Sequence, residues 1–207
     1  YRYYDKKKMD VLFPFGYGLS YTTFAYSNLR LDKKTMKDTE ELTVSVDVTN
    51  TGDRAGKEVV QLYVADKEST VIRPVKELRD FVKIELAPGE TKTVTFTLGK
   101  RAFAYYDVQI HDWQVETGEF EILIGASSRD IALRDTVTVE STVKIPFHYT
   151  TDTTMGDIMS RPEAWKLVQS VLSKGMFGQG SEVNEGGDAA KEAISDEMNA
   201  AMLQYMP

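Results

Sequence analysis

Cysteine is missing altogether from these 207 residues, which removes a disulfide framework, a thiolate zinc site and a cysteine nucleophile from consideration. That absence is compatible with a reducing compartment, and it tilts localisation toward the cytoplasm over secretion without deciding it. Histidine is almost missing too: His111 and His148 stand far apart with no ligand-spaced carboxylate partner, so no metal is expected. No stretch reaches the ~18 apolar residues of a membrane helix, and the N-terminus lacks a signal-peptide pattern. Tyr1 is not a natural start, and the chain reads as a piece of a longer one. Positive charge is in deficit, with 25 Lys and Arg against 32 Asp and Glu and a net charge of -7. Lys6-Lys7-Lys8 and Lys33-Lys34 are too short to form the basic patch that nucleic acid requires and read as solvated loop faces.

What the chain does have is concentrated near its start. Leu12-Phe13-Pro14-Phe15-Gly16-Tyr17-Gly18-Leu19-Ser20-Tyr21-Thr22-Thr23-Phe24 holds five aromatic rings in thirteen residues. Pro14 forbids a helix interior and pushes Phe13 toward extended backbone, while Gly16 and Gly18 permit angles that a β-carbon would block. The stretch is therefore expected to be an ordered, aromatic-studded loop. Burying a Phe-sized side chain is worth about 1.5–3 kcal/mol, so such a loop needs a surface to lie against.

From Tyr26 onward the period is two. Leu29 and Leu31 mark a first strand, Leu42, Val44, Val46 and Val48 a second, and Val60, Leu62 and Val64 a third, opposite Val59, Gln61 and Tyr63. Lys67 to Lys76 is expected to be a long loop before the apolar positions Leu78, Phe81, Ile84 and Leu86. Val94, Phe96 and Leu98 alternate with threonines; Phe103 to Ile110 is expected to be a strand, followed after a break at His111 by Asp112 to Val115. Glu116-Thr117-Gly118-Glu119 is read as a hairpin turn into Phe120, Ile122 and Ile124, and a last strand falls within Ile131 to Val143. Short strands, turn signals at Asn50-Thr51-Gly52-Asp53 and Ala87-Pro88-Gly89-Glu90, and no helical period between them predict an all-β chain. The expected architecture is a β-sandwich of immunoglobulin-like or fibronectin type III size, with a small barrel as the alternative.

Beyond about Ile145 the pattern turns helical. Ser160-Arg161-Pro162-Glu163 predicts a capping box, Trp165, Val168, Val171 and Leu172 one helix face, and Gly175 its end. A glycine-rich stretch from Gly178 to Gly187 and a second helix from about Asp188 to Gln204 complete a short α-helical C-terminal extension.

Taken together, Tyr1-Arg2-Tyr3-Tyr4-Asp5 and the Leu12 to Phe24 run closely resemble a junction in the family 3 glycoside hydrolases of β-glucosidase type, between the second catalytic domain and a fibronectin type III-like domain. Val48 to Gly52, Gly56 to Val64, Arg73-Pro74-Val75-Lys76-Glu77-Leu78 and Leu86 to Glu90 resemble that terminal domain, so the likeness covers about residues 1–143. The tail is similar to extensions on some bacterial members. The resemblance implies three segments: an interdomain lead-in and aromatic strap over 1–25, a sandwich over 26–143 and a helical extension over 144–207. It implies a parent that hydrolyses terminal β-D-glucosyl residues with retention, using two carboxyl groups. Both belong to catalytic domains that precede this segment in the family, so no catalytic residue and no cofactor carries over, and the fragment is expected to be inert. The implied partners are the parent's own catalytic domains and, through them, a carbohydrate. Phe13, Pro14, Phe15, Tyr17, Tyr21, Arg73 and Pro74 are the candidate interdomain contacts, with Tyr1 to Tyr4 on the far side. In isolation the aromatic surface is expected to be mobile, covered by the tail or engaged in self-association.

Sharper readings of individual residues fare less well. Asp107, Asp112, Glu116 and Glu119 suggest a glycosidase pair only by proximity, and strand faces and turns account for them. Gly175 to Gly180 lacks the lysine and preceding strand of a phosphate loop. Stacking of a sugar on Trp113, Tyr105 or Tyr106 would make the chain an independent carbohydrate-binding module; ordinary core packing of those rings is preferred.

Overall fold

Alternation of apolar and polar residues builds two sheets. The computed structural model describes residues 1–143, 147 and 149–175, and for 171–175 the backbone alone. The chain divides into two units, Tyr1–Ile145 and Pro146–Pro207.

In the first unit, helix α1 (Arg2–Lys6) precedes strands β1 (Phe24–Leu31), β2 (Thr35–Lys37), β3 (Leu42–Asn50), β4 (Gly56–Asp66), β5 (Glu77–Leu86), β6 (Thr91–Leu98), β7 (Tyr105–Asp107), β8 (Asp112–Gln114), β9 (Gly118–Gly125) and β10 (Ile131–Glu140). One sheet has the order β1-β3-β6, the other β2-β10-β9-β4-β5, and β7-β8 is a separate ribbon. This is the two-sheet sandwich that the strand pattern predicts. Strand β3 shows why: Leu42, Val44, Val46 and Val48 are wholly buried while Thr43, Ser45, Asp47 and Thr49 keep one face toward water. Antiparallel pairing sets Val46 opposite Val94 and Val44 opposite Phe96. Across the core, β4 and β9 supply Leu62, Ile122 and Ile124, and the Phe103 and Phe120 rings meet edge-on at 5.3 Å. At about 1.5–3 kcal/mol for each large side chain removed from water, this layer is the main source of stability.

Strand β4 is buried on both faces from Val60 to Ala65. Its inner residues join the core; its outer ones, Tyr63 and Ala65, form a second cluster with Leu123, against which Tyr1, Leu78 and Ile131 pack. Tyr1 is thus part of this unit, where the sequence placed it on the far side of a domain boundary.

The Phe103 to Ile110 strand is shorter than expected. A 3-10 turn at Lys100–Ala102 drops Phe103 into the core, and only Tyr105–Asp107 is extended. The expected hairpin turn at Glu116 to Glu119 is not one. The reversal lies at residues 108–111, where His111 adopts φ 52°, and pairs Tyr106 with Trp113. Gly118 then opens β9 in the other sheet, paired with Val139. The short parallel strand β2 carries too little pattern to be seen in sequence.

In the second unit, α2 (Met155–Met159) and α3 (Pro162–Gly175) are helical, and α3 continues to the last described residue. The capping box belongs to α2, however, with Thr154 and Asp157 bonding reciprocally. Ser160 instead donates its hydroxyl to the Asp157 carbonyl at 2.7 Å, because it closes α2 before Pro162 begins α3. The expected second helix, the Gly175 to Gly180 run beyond its first residue, the rest of the glycine-rich stretch, His148 and the Val171 and Leu172 side chains lie outside the described residues.

Candidate functional site

The aromatic loop is held at both ends and left open in the middle. Near its start, Tyr17 N donates to the Pro14 carbonyl at 3.0 Å, closing a tight turn through Gly16 at φ 79°. Ser128 N donates to the Phe15 carbonyl at 2.8 Å, and Gln61 Nε2 to the Gly16 carbonyl at 3.2 Å. Gln61 is buried and fully engaged: Nε2 also donates to the Ala126 carbonyl at 2.6 Å, and Oε1 accepts from the Tyr63 hydroxyl at 2.5 Å. Burial first, and the nearby Tyr1 and Asp5 second, push the Tyr63 phenol up, keeping it a donor. Tyr1 stacks on Phe15 at 4.8 Å, meets Tyr63 edge-on at 5.9 Å, and accepts from Leu78 N at 2.7 Å.

At the far end the anchor is Asn50, wholly buried at the close of β3. Its Oδ1 accepts from the Thr22 hydroxyl at 2.6 Å and from Gly52 N at 3.1 Å; its Nδ2 donates to the Arg54 and Leu86 carbonyls at 2.7 and 3.0 Å. Thr51 N donates to the Thr23 carbonyl at 2.8 Å, and Phe24 then starts β1.

α1 is pinned by Asp5, which accepts from Lys76 Nζ at 2.8 Å and Arg129 Nε at 3.1 Å. Burial opposes ionisation of Asp5, but the hydrogen bonds and charges of Lys76 and Arg129 outweigh it and hold the carboxyl below its ordinary range.

Between these anchors the loop turns its apolar side chains outward. Leu12, Leu19 and Tyr21 are 89%, 90% and 93% exposed, and Phe13, Phe15 and Tyr17 are about half or more exposed. Phe13 lies 5.2 Å from Tyr17, and Phe13, Pro14 and Phe15 border one small cleft with Tyr1, Tyr4 and Arg129, whereas Tyr21 stands apart. A cluster of exposed apolar groups on an ordered loop marks an interaction surface more than scattered ones do.

Arg73 and Pro74 sit elsewhere, on a second cleft of about 750 Å³. The Arg73 guanidinium is buried and engaged within the sandwich, donating to Asp66 at 3.0 Å, to the Phe103 carbonyl at 3.0 Å and to Glu77 at 3.3 Å. Burial raises the Asp66 pKa by more than Arg73 lowers it. The Lys67 to Lys76 loop is tied down by Glu116, which accepts from the Ser69 and Thr70 hydroxyls, and projects Ile72 at 96% exposure.

The other acidic candidates have local partners: Asp107 accepts from Gln109 N, Asp112 from Trp113 N, and Glu119 pairs with Lys67 at 2.8 Å. Among the described residues, no group of three metal-ligating side chains comes together. Arg101 covers the Trp113 ring, its guanidinium carbon 3.5 Å from the ring centroid, so that face is closed to a sugar. Gln61 and Asn50 were legible only as a polar strand residue and a turn residue; their burial depends on contacts with the loop more than 25 positions earlier in the chain.

Residues 58–128 match the model of a fibronectin type III-like domain. The chain is 57% identical over 174 residues to thermostable beta-glucosidase B of Acetivibrio thermocellus, covering 84% of this chain and 23% of that protein. It is 40% identical, with a TM-score of 0.70, to the crystal structure of the GH3 beta-glucosidase of Bifidobacterium adolescentis, covering 81% of this chain and 24% of that one. This is the fibronectin type III-like region of a family 3 glycoside hydrolase. The family 3 region spans less than a quarter of the length of these relatives. It is also 44% identical to an exo-alpha-(1->6)-L-arabinopyranosidase of Bifidobacterium breve, covering 86% of this chain and 23% of that protein. Relatives with differently named sugar activities therefore share this family 3 region.

Proposed function

We propose that this chain is the non-catalytic accessory domain of a β-glucosidase-type enzyme that hydrolyses terminal β-D-glucosyl residues, and that it packs on the catalytic domains and stabilises them. The observation that carries this reading is the anchored aromatic loop. Hydrogen bonds to Gln61, Ser128 and Thr51 hold its backbone and one to Asn50 holds the Thr22 hydroxyl, while Leu12, Phe13, Leu19 and Tyr21 face outward. A loop that served only its own sandwich would turn those side chains inward. Phe13, Pro14, Phe15, Tyr17 and Tyr21 are the proposed contacts; Pro74 borders the second cleft, and Arg73 braces that cleft from within.

The test is made in the full-length parent. Replacing Leu12, Phe13 and Tyr21 together by Ser is expected to leave the free energy of unfolding of the isolated chain within about 1.5 kcal/mol of the wild type, at about 0.5 kcal/mol for each exposed side chain. In the full-length enzyme the same change is expected to lower the melting temperature by several degrees and to separate one unfolding transition into two. An unchanged transition in the full-length enzyme, or saturable binding of cellobiose by the isolated chain, would overturn the reading.

A further inference from the structure

The 750 Å³ cleft has a chemistry different from that of the aromatic loop. Its lining contains four guanidinium groups, from Arg2, Arg73, Arg79 and Arg101, against two carboxylates, Glu77 and Asp107, and Arg73 is also paired with Asp66. Glu77 is shared three ways: Arg2 at 3.2 Å, Arg73 at 3.3 Å and Arg79 at 2.5 Å. Asp107 is occupied by Gln109 N at 2.7 Å. Arg79 is mostly buried, and its Nε has no hydrogen-bond partner among the described residues. Burial pulls the Arg79 guanidinium down; Glu77 opposes this, and Arg73 and Arg2 add to it. Arg101 makes no ion pair among the described residues and rests on the face of Trp113, whose edge meets Tyr106 at 5.6 Å. The surroundings are apolar and open to water: Ile72 is 96% exposed, Val108 71% and Tyr106 49%.

Glu77 thus serves Arg2, Arg73 and Arg79 at once while Arg101 has no carboxylate among the described residues, so a second carboxylate would complete the pairing, and its geometry suits a guanidinium. We propose that this cleft is a socket for a carboxylate side chain, Asp or Glu, presented with apolar neighbours on the catalytic body, and that Arg79 and Arg101 receive it while Ile72, Tyr106 and Val108 close around it. Three observations favour a protein carboxylate over a free anionic sugar. The cleft is wide open, its rim is aliphatic, and its arginine, tryptophan and tyrosine content is that of an interface centre. The socket also continues the proposed interface, because Arg2 on its wall belongs to the same five-residue helix as the exposed Tyr3 and Tyr4. The inference rests on the accessory-domain reading and adds the chemistry of the partner.

Hydrogen exchange, compared between the 207-residue chain and the full-length parent, tests both separately. In the parent, residues 69–74 and 105–113 are expected to exchange at least about tenfold more slowly than in the isolated chain. Arg101→Gln is expected to return these segments to the fast rate while residues 12–24 stay protected, and Arg101→Lys to retain part of the protection. Arg101 is a surface residue, so this variant is expected to fold; Arg79→Gln is the second, more buried probe. Fast exchange at the cleft with a protected loop overturns the socket alone. Unprotected loop and cleft together overturn the accessory reading as well. Protection that survives both arginine changes, or protection of the isolated chain by glucuronate with none in the parent, overturns the protein carboxylate as occupant.

Discussion

Gly16→Ala asks how firmly the aromatic loop is held to the sandwich. At φ 79° a β-carbon on residue 16 would lie 2.4 Å from Oε1, 2.5 Å from Nε2 and 2.8 Å from Cδ of Gln61. Two effects add. Left-handed backbone is about 1–2 kcal/mol less favourable for an L-residue with a β-carbon. Displacing Gln61, which is 3% exposed, forfeits its bonds to Gly16, Ala126 and Tyr63, and leaving buried groups unsatisfied costs about 1–3 kcal/mol. Stiffening of the unfolded chain returns only about 0.4–1 kcal/mol. The expected loss of unfolding free energy is therefore about 2–4 kcal/mol, read from urea unfolding followed by tryptophan emission. In a Gln61→Ala background the collision is gone, and the same change is expected to cost only the backbone part less the same unfolded-chain term, about 1 kcal/mol. Equal losses in the two backgrounds would refute the idea that Gly16 is required by the approach of Gln61.

Three further outcomes follow from the same contacts. Asn50→Ala removes a buried amide that serves four partners, and a loss of about 3 kcal/mol is expected, with faster exchange at Thr51 N; a loss under about 1 kcal/mol would show that the node is dispensable. Asp5 has a folded pKa below its ordinary value, so its contribution is complete above the unfolded pKa near 4 and disappears as pH falls through the depressed folded value. Urea midpoints of wild type and Asp5→Asn are thus expected to differ at pH 6 and to converge toward about pH 2; a difference that persists at low pH refutes the assignment. Phe103→Ala empties a wholly buried site against Phe120 and is expected to cost about 3–5 kcal/mol by the same measurement.

Strands with two-residue alternation were the legible part of the sequence. Leu42 to Val48 and Val94 to Leu98 face one core, and their period sets which side is buried irrespective of anything distant. Where a residue's neighbours come from far along the chain, local pattern was silent or misleading. Gly118 looked like a hairpin turn because glycine beside threonine and glutamate commonly is one; in the fold it opens β9, since Asp112–Gln114 already pairs with Tyr105–Asp107. Ser160 had the spacing of a cap for α3, but the preceding turn of α2 captures its hydroxyl. The aromatic loop was visible as a loop from Pro14, Gly16 and Gly18. Its anchors were not, because Gln61 and Asn50 carry no local sign that they will meet residues 16 and 22. Arg73 read as a surface contact, as a charged residue in a loop usually is; its burial follows from Asp66, Glu77 and the Phe103 carbonyl converging on it.

The spacing of the loop's anchors has a thermodynamic meaning for assembly. Gly16 and Thr22 are both hydrogen-bonded to the sandwich, so only residues 17–21 lie between fixed points. Ordering a free backbone costs about 1–2 kcal/mol per residue, and a slack tether as long as the whole aromatic stretch would surrender more than 10 kcal/mol on being clamped. Here most of that loss occurs when the sandwich folds. What remains for the encounter is the settling of a few side chains, about 0.5–1.5 kcal/mol each. A neighbour docking on this surface therefore meets a preformed template, and its association is expected to resemble rigid-body docking more than coupled folding.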